Sequence, residues 1–398
     1  MLTMAISITI FWFSFGCSQD YKIYYRFLVI ELISQCIDIS WFFQGLEEFK
    51  KTIIRNSIVK IIFVACIFIF VKSPADLGKY VFIIASANFL GNSSLWFYIP
   101  KYVKKINFKN LNVFKHLKPT LILFIPQIAI QIYTVLDKTM IGKMVEDKSE
   151  VGFYEQAQKV VKILLTFVTS LGTVMVPRMA NTFAKGDNEQ LKKYMYYSFK
   201  FVYFLSFPIM VGLVFVSKEF VPIFFGEGYD KVVILISVIV PIVLFIGLSN
   251  LIGTQYLLPI KKQKEFTISV IAGACINFIL NLLLIREFKS IGASIATVIA
   301  EFSVTAIQFY FIRKEIEILK VLKFSIKNIV ASILMGVSIY FIGFIPISAL
   351  YIISLKIIIG FIIYIAVLFL LKDDFLKYVF AKVNEKRITI IKKLKRIS

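Results

Sequence analysis

Charged side chains are scarce inside the long apolar runs of this 398-residue chain, so those that do occur there are the first candidates for chemistry. A charge within a membrane span costs about 2.5 to 3.5 kcal/mol on insertion scales, and such residues usually serve a substrate or an ion. The densest group is Glu155, Lys159 and Lys162, set in the apolar stretch that begins at Val151. At 1.5 Å of helix rise per residue, Lys159 lies roughly 12 Å and Lys162 roughly 16 Å into a hydrocarbon core of about 30 Å. Glu155 and Lys159 are four apart and share a helix face, which Lys162 approximately joins. Pairing Glu155 with one lysine leaves a net positive charge, the chemistry of a site that receives an anionic group. Snorkelling of the lysines to the interface is the structural alternative, and their depth argues against it.

Weaker candidates surround this group. Gln127 with Gln131, and Asn277 with Asn281, are polar pairs at helical spacing that either face a watered cavity or bond neighbouring helices. Glu301 and Asp137 are the acids best placed to hold a coupling cation or proton, while Glu31 and Asp38 form a further acidic pair seven residues apart. Lys60 is close enough to a span end to snorkel. Pro126, Pro208, Pro222 and Pro241 lie within or beside spans, where they kink helices or serve packing.

Other chemistries find little support. The single histidine, His116, sits among lysines in a loop, which removes most routes to histidine catalysis or a histidine-ligated metal. Cys17, Cys36, Cys66 and Cys275 lie in or beside apolar runs without CxxC spacing, so no zinc site and no disulfide framework is expected. No cofactor is indicated. The formal charge of +22 raises the question of nucleic acid, but the cations cluster in short loops between apolar runs rather than forming an aromatic-laced patch.

The elements that must position these residues are membrane helices. Hydrophobic residues make up 59% of the chain, more than a soluble core of this length needs. Apolar segments long enough for spans are predicted at residues 2–16, 23–44, 52–71, 78–99, 119–141, 151–176, 197–216, 232–257, 266–285, 291–312, 325–345 and 350–371. The expectation is an all-α, polytopic bundle of about twelve helices. Alternate loops on one side, with the C-terminal tail, carry 31 Lys and Arg against 11 on the other, which places both termini in the cytoplasm. The basic stretch from Lys372 to Ser398 is either an amphipathic helix on anionic lipid or a topology signal.

An internal repeat is faintly visible. QGLEEFKKTIIRNSIV resembles LPIKKQKEFTISVIAG some 214 positions later, each opening a helix followed by a short loop with Gly78 or Gly292 and a second helix. Repeated halves in one orientation are a recurrent design of secondary transporters, with the substrate site near the midplane between them.

The segments ISWFFQGLEEFKKTIIRN, LDKTMIGKM, EVGFYEQAQKVVKILLTFVTSLGTVMVPRMA and FGEGY resemble the polysaccharide-biosynthesis (Wzx-type) flippases of the multidrug, oligosaccharidyl-lipid and polysaccharide exporter superfamily. The resemblance implies two six-helix lobes, often with two extra C-terminal helices, and a monomer in the bacterial plasma membrane. It also implies movement of undecaprenyl-pyrophosphate-linked oligosaccharide from the inner to the outer leaflet, beside a polysaccharide polymerase and other biosynthesis proteins. The Ala157-Gln158-Lys159 stretch is similar to one in lipid II flippases where a basic residue is important, which makes Lys159 the leading substrate-binding candidate. Against that plan, residues 1–99 form a four-helix N-terminal lobe short by two helices, 100–118 a linker, 119–312 a six-helix lobe, 313–371 a linker with two extra helices, and 372–398 a tail. The alternatives are a multidrug exporter with an acidic site for organic cations, a polytopic glycosyltransferase or polymerase, and a nonfunctional truncated fragment. The enzymes usually carry a long outer catalytic loop, and no outer loop here much exceeds a dozen residues.

Overall fold

The computed structural model describes residues 2–15, 22–46, 48–102 and 114–382. The basic tail beyond 382, with Lys104, Lys105 and Lys109 of the expected linker, lies outside the described residues, as do the side chains of Gln127 and His116. Two compact units are present, Met1–Val113 and Phe114–Ser398.

The first unit contains α1 (Leu2–Phe15), α2 (Lys22–Cys36), the short α3 (Ser40–Gly45), α4 (Phe49–Phe70) and α5 (Leu77–Leu95). The second contains α6 (Phe114–Met144), α7 (Ser149–Ala184), α8 (Asn188–Phe225), α9 (Asp230–Ile239), α10 (Ile242–Ser249), α11 (Gln263–Ile312), α12 (Ile318–Ile342) and α13 (Ala349–Leu370). Every segment predicted as a span is largely helical in the structure. Among the described residues, seven helices are long and apolar enough to cross a membrane on their own. The bent run from α9 through α10 to Leu257 makes an eighth, interrupted by 40° at Val240-Pro241, where proline withholds its N–H from the helix ladder. It ends in a π-helical turn over Asn250–Leu257.

Two segments expected as separate spans, 266–285 and 291–312, form the two halves of α11. They meet at Lys289, whose φ of 52° and ψ of −130° break the helix. The chain folds tightly there: a Cβ on Gly292 would come within 2.3 Å of the Leu284 carbonyl oxygen, so only glycine fits. Glu150, at the start of α7, fastens this turn. Its carboxylate accepts hydrogen bonds from the hydroxyl of Ser290 and pairs with Lys231 of α9.

The FGEGY segment closes α8 with Gly226 and Gly228 at φ of 88° and 86°, conformations that L side chains rarely adopt. The hydrophobic core of the second unit is made by α7, α8, α9, α10 and α11, with Tyr154, Val161, Phe199, Ile236, Val243 and Ile285 fully or almost fully buried. A satellite core of Ala331, Met335, Ile339, Tyr364 and Leu368 joins α12 to α13. Among these apolar surfaces sits a buried ion pair: Lys356 of α13 donates to both oxygens of Glu219 in α8 at 2.7 and 2.8 Å, and to the Phe215 carbonyl at 2.8 Å.

Candidate functional site

The turn at Lys289 explains how residues far apart in sequence meet. Asn281 and Thr297 each lie eight positions from it, or about 12 Å along their helix halves, so folding back brings them level. Asp137 of α6 inserts between them. Its Oδ1 accepts from Asn281 Nδ2 at 2.6 Å, and its Oδ2 accepts from Thr297 Oγ1 at 2.9 Å and from the Tyr154 hydroxyl at 2.7 Å. Asn281 Nδ2 also donates to Asn277 Oδ1 at 3.0 Å, one helical turn away. Asp137, Tyr154, Asn277 and Asn281 have no exposed surface at all. A carboxylate held this deep is tolerable only with several donors, and here three side chains supply them.

The cluster is not fully satisfied. Asn281 Oδ1 and Asn277 Nδ2 are buried without a hydrogen-bond partner. An orphaned amide oxygen together with a carboxylate, a hydroxyl oxygen and a second amide oxygen makes a buried, oxygen-rich cluster around one acid. Hard monovalent cations suit such a donor set. Among the described residues no group of three or more His, Cys, Asp and Glu could hold a metal, so the multi-acid arrangement of a divalent site is not found there. Glu301 is buried one turn beyond Thr297 on the same half of α11, followed on that stripe by the buried Thr305 and Gln308.

One residue after Tyr154, α7 turns a different face outward. Glu155 lies 3.2 Å from Lys159, as the four-residue spacing predicts, and also 3.5 Å from Lys138, which α6 presents beside Asp137. The Lys159 side chain is 59% exposed. Lys162 is exposed as well and donates to Gln158 Oε1 at 3.1 Å. Two lysines thus share one acid on a surface of α6 and α7, with Lys162 one turn further along α7 and Gln131 exposed on the same helix as Lys138. Lys138 lies within α6, which runs on to Met144, three residues beyond the predicted span of 119–141.

The structure therefore divides the sequence candidates into two groups. Glu155, Lys159 and Lys162 share an exposed face, and Asp137 with Asn277 belongs to a buried cluster. Tyr154, Gln158 and Thr297 carry no charge, and none of them draws a role of its own from the sequence. The one available signal was the four-residue repeat Tyr154, Gln158, Lys162, a polar stripe on an apolar helix.

Two family models match this chain: "Polysaccharide biosynthesis protein" over residues 1–183 and "MatE" over residues 123–283. Between them the two models reach from residue 1 to residue 283, and over that length the chain is similar to one or both families. A putative O-antigen transporter of Escherichia coli (strain K12) is 26% identical over 287 residues, covering 71% of this chain and 68% of the relative. The probable low-salt glycan biosynthesis flippase Agl15 of Haloferax volcanii is 24% identical over 199 residues, covering 50% of this chain and 41% of that one. The fold is similar to that of the lipid II flippase MurJ in its inward closed conformation, with a TM-score of 0.69, 22% identity, and coverage of 92% of this chain and 80% of the other. Asp137, Tyr154 and the three lysines fall inside the segment shared by the two family models, residues 123–183, whereas Asn277 and Asn281 lie in the MatE match alone and Thr297 beyond both.

Proposed function

We propose that this protein is a flippase that moves oligosaccharide linked to polyprenyl pyrophosphate from the inner to the outer leaflet of a bacterial plasma membrane. The observation that carries this reading is the cationic surface of Lys138 and Lys159, which share the single acid Glu155, with the exposed Lys162 beside Gln158, on membrane helices. Such a surface binds a pyrophosphate through charge while the polyprenyl tail remains in lipid. The names of the O-antigen and glycan relatives support the same substrate class.

The charge asymmetry of 31 to 11 supports cytoplasmic termini and a substrate loaded from that side. Each negative charge carried outward across an inside-negative potential then gains about 2.3 kcal/mol per 100 mV. Asp137, with oxygens from Asn281, Asn277 and Thr297, is the coupling-cation site in this reading, and Glu301 is a second carboxylate close to it. Gln131, exposed on α6, belongs to the substrate side.

Replacement of Lys159 by Gln is expected to abolish transbilayer movement of a lipid-linked oligosaccharide in reconstituted vesicles while the protein still inserts. Unchanged movement would remove the lysine surface from the substrate site. The MatE match supports a second reading, export of organic cations through the acids Asp137 and Glu301. Competition between a drug cation and lipid-linked sugar in the same vesicles separates the two, because the lysine surface favours only the sugar carrier.

A further inference from the structure

A continuous chain of hydrogen bonds joins the exposed lysine surface to the buried acid. Lys162 Nζ donates to Gln158 Oε1 at 3.1 Å, Gln158 Nε2 donates to the Tyr154 hydroxyl at 2.8 Å, and that hydroxyl donates to Asp137 Oδ2 at 2.7 Å. Residues 154, 158 and 162 repeat every four positions, which stacks them along one stripe of α7. Tyr154 is fully buried and Gln158 is 3% exposed, so water does not compete with the two inner links.

The links all point the same way. The tyrosine proton is committed to the carboxylate, leaving its oxygen to accept, and an ammonium can only donate. Gln158 is therefore held with its NH2 toward Tyr154 and its oxygen toward Lys162. A flipped amide would set two donors against each other at Lys162. Chains of aligned donors between a cation and an anion polarise one another, and this chain runs from an ammonium to a carboxylate.

We propose that Gln158 and Tyr154 are positioning residues that couple cation binding at Asp137 to anion binding at Lys162. The proposal rests on the assignment of those two ends given above. Without a bound cation, the Asp137 charge draws the chain tight and holds Lys162 toward Gln158. A monovalent cation on the carboxylate neutralises that pull, weakens each link in turn and frees the ammonium for a pyrophosphate. Cation and pyrophosphate then strengthen each other's binding, and by linkage the effect is equal in both directions.

Through-space attraction would give the same sign, so the test must break the chain without moving a charge. Tyr154→Phe and Gln158→Leu do this, each keeping the ring or stem that packs in the core. The full-length protein in nanodiscs is titrated with farnesyl pyrophosphate in sodium chloride and in choline chloride at equal ionic strength. For the native protein, sodium is expected to tighten the probe about tenfold, within the usual range of coupling between sites. In both variants the probe still binds, and the sodium effect falls to about twofold or less, the part carried through space. A full sodium effect in both variants would overturn the relay while leaving its two ends standing. No probe binding, or no sodium effect, in the native protein would overturn the assigned ends and the relay with them. Size-exclusion profiles and melting curves identify a variant that has lost its fold, and Gln158→Met then replaces Gln158→Leu in the same comparison.

Discussion

The first unit and the second each contain two helices joined by a short turn at the position of the internal repeat, α4 with α5 in one and the two halves of α11 in the other. Both pairs are tied by side-chain hydrogen bonds between helices. In the first unit Arg55 donates to Asn92 Oδ1 at 2.9 Å, Asn92 donates to Ser34, and Asn88 donates to Glu31, which is not buried. In the second unit the equivalent of Arg55 is Ser269, which accepts from Gln308, and the ionisable groups have moved deeper, to Asp137 and Glu301. The first unit uses partly exposed polar groups, anchored on the buried Ser34, to set helix register. The second places an acid at its centre and connects it outward to lysines. Similar scaffolds thus carry different chemistry according to how deep the charge sits, because desolvation makes a deep charge responsive to whatever neutralises it.

Four single substitutions, one with a rescuing partner, test that contrast, beginning with the largest effect. Lys356→Met strands Glu219 among α8, α12 and α13 and should cost about 3 to 5 kcal/mol in a reversible unfolding assay, with Glu219→Leu in the same chain restoring most of it. The sodium effect on probe binding should survive in the double variant, which would separate a structural ion pair from a coupling one within the second unit. Glu150→Gln removes the charge that fastens the Lys289 turn to Lys231 and should cost about 1.5 to 3 kcal/mol by the same assay. Arg55→Leu in the first unit should cost about 1 kcal/mol and leave sodium dependence untouched. A lost sodium response in Arg55→Leu would break the comparison, since it would put coupling in the first unit.

The smallest effect concerns the turn before α5. The Lys79 ammonium 2.6 Å away, and the backbone N–H groups of Lys72 and Ser73, hold the Asp76 carboxyl well below the usual carboxylate range. A depressed folded value means the stabilisation is complete above the unfolded pKa of about 4 and is lost as pH falls through the folded value. The difference in melting temperature between the native protein and Asp76→Asn should therefore be constant from pH 8 to about pH 5 and shrink only in stronger acid.

Much of this arrangement was legible in the residues. Apolar length and loop charge located the helices, and the spacing of Glu155 with Lys159 and of Asn277 with Asn281 gave two contacts that the structure contains. What was not legible depends on the turn at Lys289. Periodicity reports which residues share a helix face, but not that Asn281 and Thr297 become level across a one-residue break, or that Asp137, 160 positions from Thr297, fills the space between them. Lys356 was hidden for a related reason: one charge in a strongly apolar helix has no local partner, and Glu219 reaches it from 137 positions away. Neutral residues such as Tyr154 and Gln158 leave almost no mark in composition, although they complete the chain between the two charged groups.

The most direct test of the central claim, that the buried acid of the second unit governs its lysine surface, is farnesyl pyrophosphate binding by Asp137→Asn across a sodium titration. The asparagine carries no charge to draw the chain inward, so the account predicts binding near the sodium-saturated affinity of the native protein at every sodium concentration. Binding by Asp137→Asn that still tightens with sodium as the native protein does would contradict it.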